Sequence, residues 1–207
     1  SMLNETLDFE RQMNHDRKPL HFTYFINAAY FLSSDNSVLY KSPKFRQGIS
    51  NIGFSNSAKD ISARVDAFNK AIADGNEIAS HSVGHFNGTS WTIEEWKQEF
   101  NSFDKILSDI QKNNSTASVN SLHINTEDII GFRAPNLGVN DNLYKTLSNS
   151  HFSYDTSGVG FMGNWPKKDH YGIWHIPLGT IYIGPSHSPA IAIDYSLWMR
   201  QSNGNDD

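Results

Sequence analysis

The 207-residue chain contains no cysteine. That excludes a disulfide framework and a thiolate-held zinc, so any metal ion must rest on His, Asp or Glu. Charge is sparse: charged residues make up 19% of the chain, and 17 basic against 22 acidic side chains give a net charge of -5. A dedicated nucleic-acid binder carries a basic face, and this balance argues against one. No stretch approaches the ~18 apolar residues of a membrane span, and the opening SMLNETLDFE has no apolar signal core. The leading Ser-Met has the look of a cloning remnant, in which case a targeting segment need not appear in the chain as given. Rings are present in quantity: 13 Phe, 8 Tyr and 5 Trp. Aromatics with moderate charge suit a neutral, stacking ligand such as a sugar, and they equally suit an ordinary core.

No internal repeat or long linker divides the chain, and its length suits one domain over 3–202, with 203–207 a polar tail. NETLDFERQMNHDRK predicts a helix with Leu7, Phe9 and Met13 as core contacts. LHFTYFINAAYF, residues 20–31, predicts a buried strand. Residues 33–57, rich in Ser, Asn and Gly, read as an excursion. Ser57 with Asp60 opens a second helix whose apolar stripe is Ile61, Val65, Phe68 and Ile72, stopping at Gly75. A strand through Glu77–Ser80 follows. Thr92 and Glu95 form a capping-box pattern ahead of a helix lined by Trp96, Phe100, Phe103, Leu107 and Ile110. DIIGF and HFSYD predict strands around a helix at 140–149, and GIWHIPLGTIYI and AIAIDY predict further strands. Such alternation favours a parallel α/β sheet with its chemistry at the carboxyl ends of the strands. His81, Arg133 and Asp155 fall at those ends.

His81 and His85 are the first residues that look chemical. Two imidazoles four residues apart on a helical turn share a side, and neutral imidazole suits zinc, cobalt or nickel. A catalytic ion also needs a third protein ligand and an open position for water. Nine histidines in a chain of this length give about 0.4 such pairs by chance, so the pair alone decides little. The alternative is that both are surface residues or are satisfied by hydrogen bonds.

An ordered series of motifs surrounds the pair. EIASHSVGH is followed by WTIEEWKQEF, GFRAPNLGVNDNLYKTL, FSYDTS and GIWHIPL. The series resembles the polysaccharide deacetylases, which act on chitin, peptidoglycan and nodulation factors, and its wording is nearest the animal-type chitin deacetylases and their bacterial relatives. The family's His-Ser/Thr-x-x-His motif matches His81, Ser82 and His85. Its Arg-x-Pro-Tyr motif matches Arg133, Ala134 and Pro135, with Asn136 in place of Tyr. YDTS, with Asp155 and Ser157, resembles the strand end that borders the groove. IWHIPL resembles the Trp-Glu-hydrophobic-Pro segment, with Trp174 in place and His175 where Glu is common. TYFINAAYF resembles the family's Thr-Phe-Phe strand. The likeness covers about residues 7–200.

The resemblance implies an α/β fold, a distorted (β/α) barrel of the deacetylase type, here incomplete at both ends. It implies metal-assisted hydrolysis of the N-acetyl group of a polysaccharide or oligosaccharide containing N-acetylglucosamine. The cofactor would be a divalent ion, most simply zinc, on His81 and His85, and the setting secreted or periplasmic. Arg133 would be the catalytic arginine that orients a basic Asp. Pro135, Asn136, Asp155 and Trp174 would border the substrate, with a backbone N–H near the Arg-x-Pro segment holding the oxyanion. The family's Phe-Asp-Asp motif, which supplies the base and the third ligand, is not visible. TLDFE, with Asp8 and Glu10, is the nearest acidic cluster, and it reads as part of a helix. The late catalytic histidine is not visible either: the chain ends at SNGNDD, and His187 comes too early, in a turn-like context. The chain therefore reads as a fragment of a longer enzyme, or as a relative that has lost its catalytic ends. Besides the deacetylase reading, an inactive carbohydrate-binding relative and an unrelated metal hydrolase stay open. Trp91 and Trp96 read as packing, and Asp194 and Tyr195 as a weaker pair after a strand. The Asn-x-Ser/Thr triplets at Asn4, Asn87 and Asn114 read as chance in so Asn-rich a chain.

Overall fold

A computed structural model describes residues 2–15, 20–116, 118–161, 163–183, 187–193 and 196. The chain opens with α1 (Met2–His15), then β1 (Thr23–Ile26), α2 (Ala58–Ala73) and β2 (Glu77–Ser80). After these come α3 (Ile93–Ser108), the single turn α4 (Ile110–Asn113), β3 (Gly131–Phe132) and α5 (Asp141–Ser148). The remainder is strand: β4 (Tyr154–Asp155), β5 (Val159–Phe161), β6 (Lys167–Lys168), β7 (Trp174–His175), β8 (Leu178–Ile183) and β9 (Ser188–Ile191). One sheet runs β1-β2-β3-β4-β7-β6, with β1 to β7 parallel and β6 antiparallel on β7. A second, three-stranded sheet runs β5-β8-β9. This is the expected α/β fold with a parallel sheet. Among the described residues the larger sheet has two free edges, β1 and β6, and does not close into a barrel.

Local chemistry sets the helices. The Ser57 side chain accepts from the Asp60 N–H at the start of α2, and Thr92 and Glu95 form a complete capping box on α3. The Asn140 side chain caps α5 by accepting from the Leu143 N–H. Trp96, Phe100, Phe103 and Leu107 of the α3 stripe are buried, and so is Ile110, which was expected on the same helix but opens the separate turn α4. Leu7 is buried as expected, but Phe9 is 53% exposed. Glu10, one residue on, is wholly buried and accepts a hydrogen bond from the Asn76 side chain at 2.7 Å. The helix is turned so that this polar tie, rather than the Phe9 ring, faces inward.

The strands are shorter than their apolar runs. Residues 20–31 keep only four in β1, because Ala28 and Ala29 turn aside and donate to the carbonyls of Ser82 and Val83. GIWHIPLGTIYI breaks into β7 and β8, which join different sheets; Pro177 lies at the break, and its missing N–H cannot extend a ladder. Asp194 and Tyr195 lie outside the described residues.

Register assigns the faces of the larger sheet. Ser80, Phe132, Asp155 and His175 stand in one row, and Ala79, Gly131, Tyr154 and Trp174 in the next. Successive side chains on a strand point to opposite faces. The first row meets the helices: Phe132 packs on Phe100 of α3 at 5.2 Å, and His175 on Tyr144 of α5 at 4.6 Å. The second row lies on the other face, which in a closed barrel is the interior. There the Tyr154 hydroxyl donates to Glu77 at 2.9 Å, crossing β3 at Gly131. A Cβ at position 131 would stand 2.2 Å from that hydroxyl oxygen, so the crossing requires glycine.

Candidate active site

The histidine pair sits on the turn that leaves β2. The His81 N–H donates to the Ile26 carbonyl at 2.8 Å, which extends the β1–β2 ladder by one residue. Asn51, from the excursion at 33–57, donates its backbone N–H to the Gly84 carbonyl and its side-chain amide to the His85 carbonyl. The Asn27 amide donates to the His81 carbonyl. The turn is not helical. Ser82 and His85 hold φ of 67° and 57°, left-handed values that side-chain-bearing residues rarely adopt. A common side for the imidazoles thus comes from two left-handed residues fixed by tertiary hydrogen bonds, rather than from the expected helical turn. The rings lie 5.0 Å apart, centroid to centroid, at an interplanar angle of 70°.

The chemistry of the two rings differs. His81 Nδ1 lies 2.8 Å from the Arg133 carbonyl oxygen. A carbonyl only accepts, so this contact places the proton on Nδ1 and the ring's lone pair on Nε2. Metal-binding histidines are oriented in this way by a carbonyl behind them. Burial holds the His85 pKa below the ordinary histidine value, which favours the neutral, ligating form. This donor set fits a divalent ion and supplies two ligands for it. Among the described residues no cluster of three His, Asp or Glu completes the set. Asp8 is 71% exposed on α1, 4.0 Å from the Lys70 ammonium on α2. His187 is exposed in the turn before β9.

Arg133 follows β3, the strand beside β2. Its N–H donates to the Ser80 carbonyl at 2.9 Å, its guanidinium donates to the Thr156 hydroxyl at 2.9 Å, and the same group lies 4.1 Å from the centre of the Phe25 ring. Pro135 is buried, and Asn136 is exposed at the tip of a turn with φ of 54°. The N–H groups of this turn can be accounted for one by one. Ala134 donates to the Ser157 hydroxyl, Leu137 and Gly138 donate within the turn, and Pro135 has none. The Asn136 N–H, on an exposed residue, has no such partner among the described residues.

Asp155 lies beneath this turn rather than on its surface. It is wholly buried, and its carboxylate accepts from both the hydroxyl and the N–H of Ser157, whose oxygen accepts in turn from Ala134. Its other neighbour is His175, Nδ1 to Oδ2 at 3.6 Å, while His175 Nε2 lies 2.9 Å from Asp169. One imidazole thus stands between two carboxylates. The Asp155 partner first, and then Asp169, hold its pKa above the ordinary value against the effect of burial. Burial and the same two carboxylates push the Tyr144 hydroxyl up to about 12. Sequence reading gave Asp155 a place at the groove and missed Asp169 and Tyr144; the signal for Asp169 was a turn of five residues before the Trp174-His175 strand. Trp174 itself is on the opposite face, 45% exposed, with the Lys168 ammonium 5.7 Å from its ring centre. Trp91 and Trp96 are core, in edge contact at 4.6 Å. The Asn114 amide is buried and donates to the Phe31 and Ile110 carbonyls, so it is a structural tie.

The structure therefore brings His81, His85, Arg133, Pro135 and Asn136 to neighbouring strand ends. Trp174 stands on the face that Arg133 shares, two strands further along, and Asp155 supports the arrangement from below.

No family model matches the chain, and no curated protein matches it. Solved structures do. A polysaccharide deacetylase from Mycobacterium smegmatis is similar at 18% identity and a TM-score of 0.42, over 70% of this chain and 50% of that one. A family 4 carbohydrate esterase from Streptomyces lividans, in complex with acetate, is similar at 11% identity and a TM-score of 0.34, over 66% and 60%. A CE4 family pseudoenzyme from Bacillus anthracis is similar at 12% identity and a TM-score of 0.34, over 65% and 41%. The chain spans about half the length of the solved structures it matches.

Proposed function

We propose a metal-dependent deacetylase function for this chain, acting on N-acetylated polysaccharides or oligosaccharides and built on its histidine pair. The observation that carries the reading is the pair of imidazoles 5.0 Å apart at the end of β2, with the His81 tautomer set by the Arg133 carbonyl. His81 and His85 would hold a divalent ion, zinc by its preference for neutral imidazole. A zinc ion supplies Lewis acidity toward an acetyl oxygen and lowers the pKa of a bound water. The chain's own residues then have separable tasks. The Asn136 N–H takes part of the charge that develops on the acetyl oxygen. Arg133, its guanidinium fixed by Thr156 and Phe25, keeps its carbonyl against His81. Trp174 offers an exposed ring on which a sugar stacks. A polymer substrate places the protein in a secreted or periplasmic setting.

A second reading, an inactive carbohydrate-binding relative, is favoured by one observation: among the described residues no third ligand joins the two histidines. The two readings part in one assay. The zinc-supplemented chain is incubated with acetylated chito-oligosaccharides, and acetate release and sugar binding are both measured. Acetate release that disappears in His81→Ala supports the deacetylase. Binding without release supports the inactive relative, and neither binding nor release removes both.

A further inference from the structure

α3 carries a carboxylate where its pattern calls for a ring. Glu99 lies on the stripe that holds Trp96, Phe100 and Phe103, and it is wholly buried. A carboxylate in that position is costly unless donors surround it. Four converge on it. Its Oε1 accepts from the Ser82 hydroxyl, from the Val83 N–H at 2.9 Å and from the Gly84 N–H at 3.4 Å. Its Oε2 accepts from the Tyr40 hydroxyl at 2.8 Å. Three of the four donors belong to the residues between His81 and His85.

We propose that Glu99 is the positioning residue of the histidine pair: its carboxylate gathers the turn at 82–84 and fixes the left-handed backbone that points both imidazoles to one side. Elsewhere the turn is held at its carbonyls by Asn27, Ala28, Ala29 and Asn51, and the Ser82 N–H donates to the Ser80 hydroxyl at 3.2 Å. Glu99 takes up the next two N–H groups, those of Val83 and Gly84, together with the hydroxyl of the preceding Ser82. Tyr40 completes the anchor from the excursion at 33–57. A Cβ at Gly84 would stand 2.8 Å from both the Tyr40 ring and its hydroxyl oxygen, so glycine there lets Tyr40 reach the carboxylate. Glu99 touches neither histidine in these contacts. It acts on them through the backbone.

The part of this inference that concerns metal rests on the reading of His81 and His85 as ligands, and the test separates the two. Glu99→Leu removes the acceptor and keeps much of the volume. Glu99→Gln keeps an oxygen for the turn, while its amide donates to the Tyr40 oxygen. In the metal-free chain, amide hydrogen exchange is followed at Val83 and Gly84, with Ala79 of β2 as the internal control. Zinc affinity is then measured by chelator competition. The expected result for Glu99→Leu is exchange at Val83 and Gly84 faster by roughly tenfold or more with Ala79 unchanged, and zinc affinity lower by about 10- to 100-fold. Glu99→Gln should restore most of both. If wild type binds no zinc while Glu99→Leu still frees Val83 and Gly84, the anchor stands and the metal reading falls. Unchanged exchange and affinity in folded Glu99→Leu overturn the proposal. Should that variant not fold, Ser82→Ala removes one donor alone. Faster exchange at Val83 with weaker zinc binding then supports the anchor, and no change in either overturns it.

Discussion

Replacing Asp155 tests whether the floor of the site is built as described. The carboxylate is wholly buried and accepts two hydrogen bonds from Ser157, with His175 3.6 Å away. Asp155→Ala leaves the Ser157 hydroxyl and N–H unmatched in a site that water does not reach. An unsatisfied buried donor costs about 1–3 kcal/mol, and the hydroxyl can turn partly aside, so the two together are worth about 3 kcal/mol. For a chain of this size that is a fall in Tm of about 6–12 °C. Asp155→Asn keeps an acceptor for the Ser157 N–H and should cost about 1 kcal/mol at neutral pH. The link to His175 adds a dependence on pH with a defined sign. His175 has its pKa raised in the folded chain. Its contribution is therefore fully present below the unfolded value of about 6.5 and is lost as pH rises through the higher folded value. The difference between wild type and Asp155→Asn should be largest near about pH 5.5 and shrink by about pH 9. Urea unfolding followed by circular dichroism at several pH values measures it. An Ala variant within about 0.5 kcal/mol of wild type, or an Asn difference that does not change with pH, would refute the reasoning.

Three further outcomes follow from the same contacts. Gly131→Ala puts a Cβ 2.2 Å from the Tyr154 hydroxyl oxygen and should destabilise the chain by about 1–3 kcal/mol, read from denaturant midpoints; Tyr154→Phe in the same background should recover little, because the ring carbon behind is only 2.3 Å away. Phe100→Ala removes a ring that touches Trp96, Phe132 and Phe152 and should cost about 3–5 kcal/mol by the same measurement. Trp174→Ala, at a half-exposed ring, should leave the unfolding midpoint within about 0.5 kcal/mol yet weaken binding of acetylated chito-oligosaccharides in calorimetry; unchanged sugar affinity removes Trp174 from the binding surface.

The helices were legible because their signals are local. A capping pair, a capping box and an apolar stripe at helical spacing each act within a few residues, and α2 and α3 begin where those residues predict. The strands β3, β4 and β7 were legible in place but not in length, since a two-residue strand is defined by its neighbours. The histidine pair could be picked out, but not the backbone that unites it. Positive φ at Ser82 and His85 has no mark in their residue types; it is imposed by Glu99, Asn51 and Asn27, which come from three distant parts of the chain. Asp155 showed only its place at a strand end. That it turns to the helix side follows from its register with Phe132 and His175, which no short stretch of sequence carries.

The central claim is that His81 and His85 hold a divalent ion. Titration of the folded chain with zinc by calorimetry, alongside His81→Ala and His85→Ala, tests it most directly. The same titration at lower pH adds a check: both imidazoles must be neutral to bind, and burial lowers the His85 pKa, so its share of binding should persist below the ordinary histidine range. The account predicts one zinc per chain in the wild type and loss of binding in both variants. A folded wild-type chain that takes up no zinc, or variants that bind it as well as the wild type, would contradict the claim.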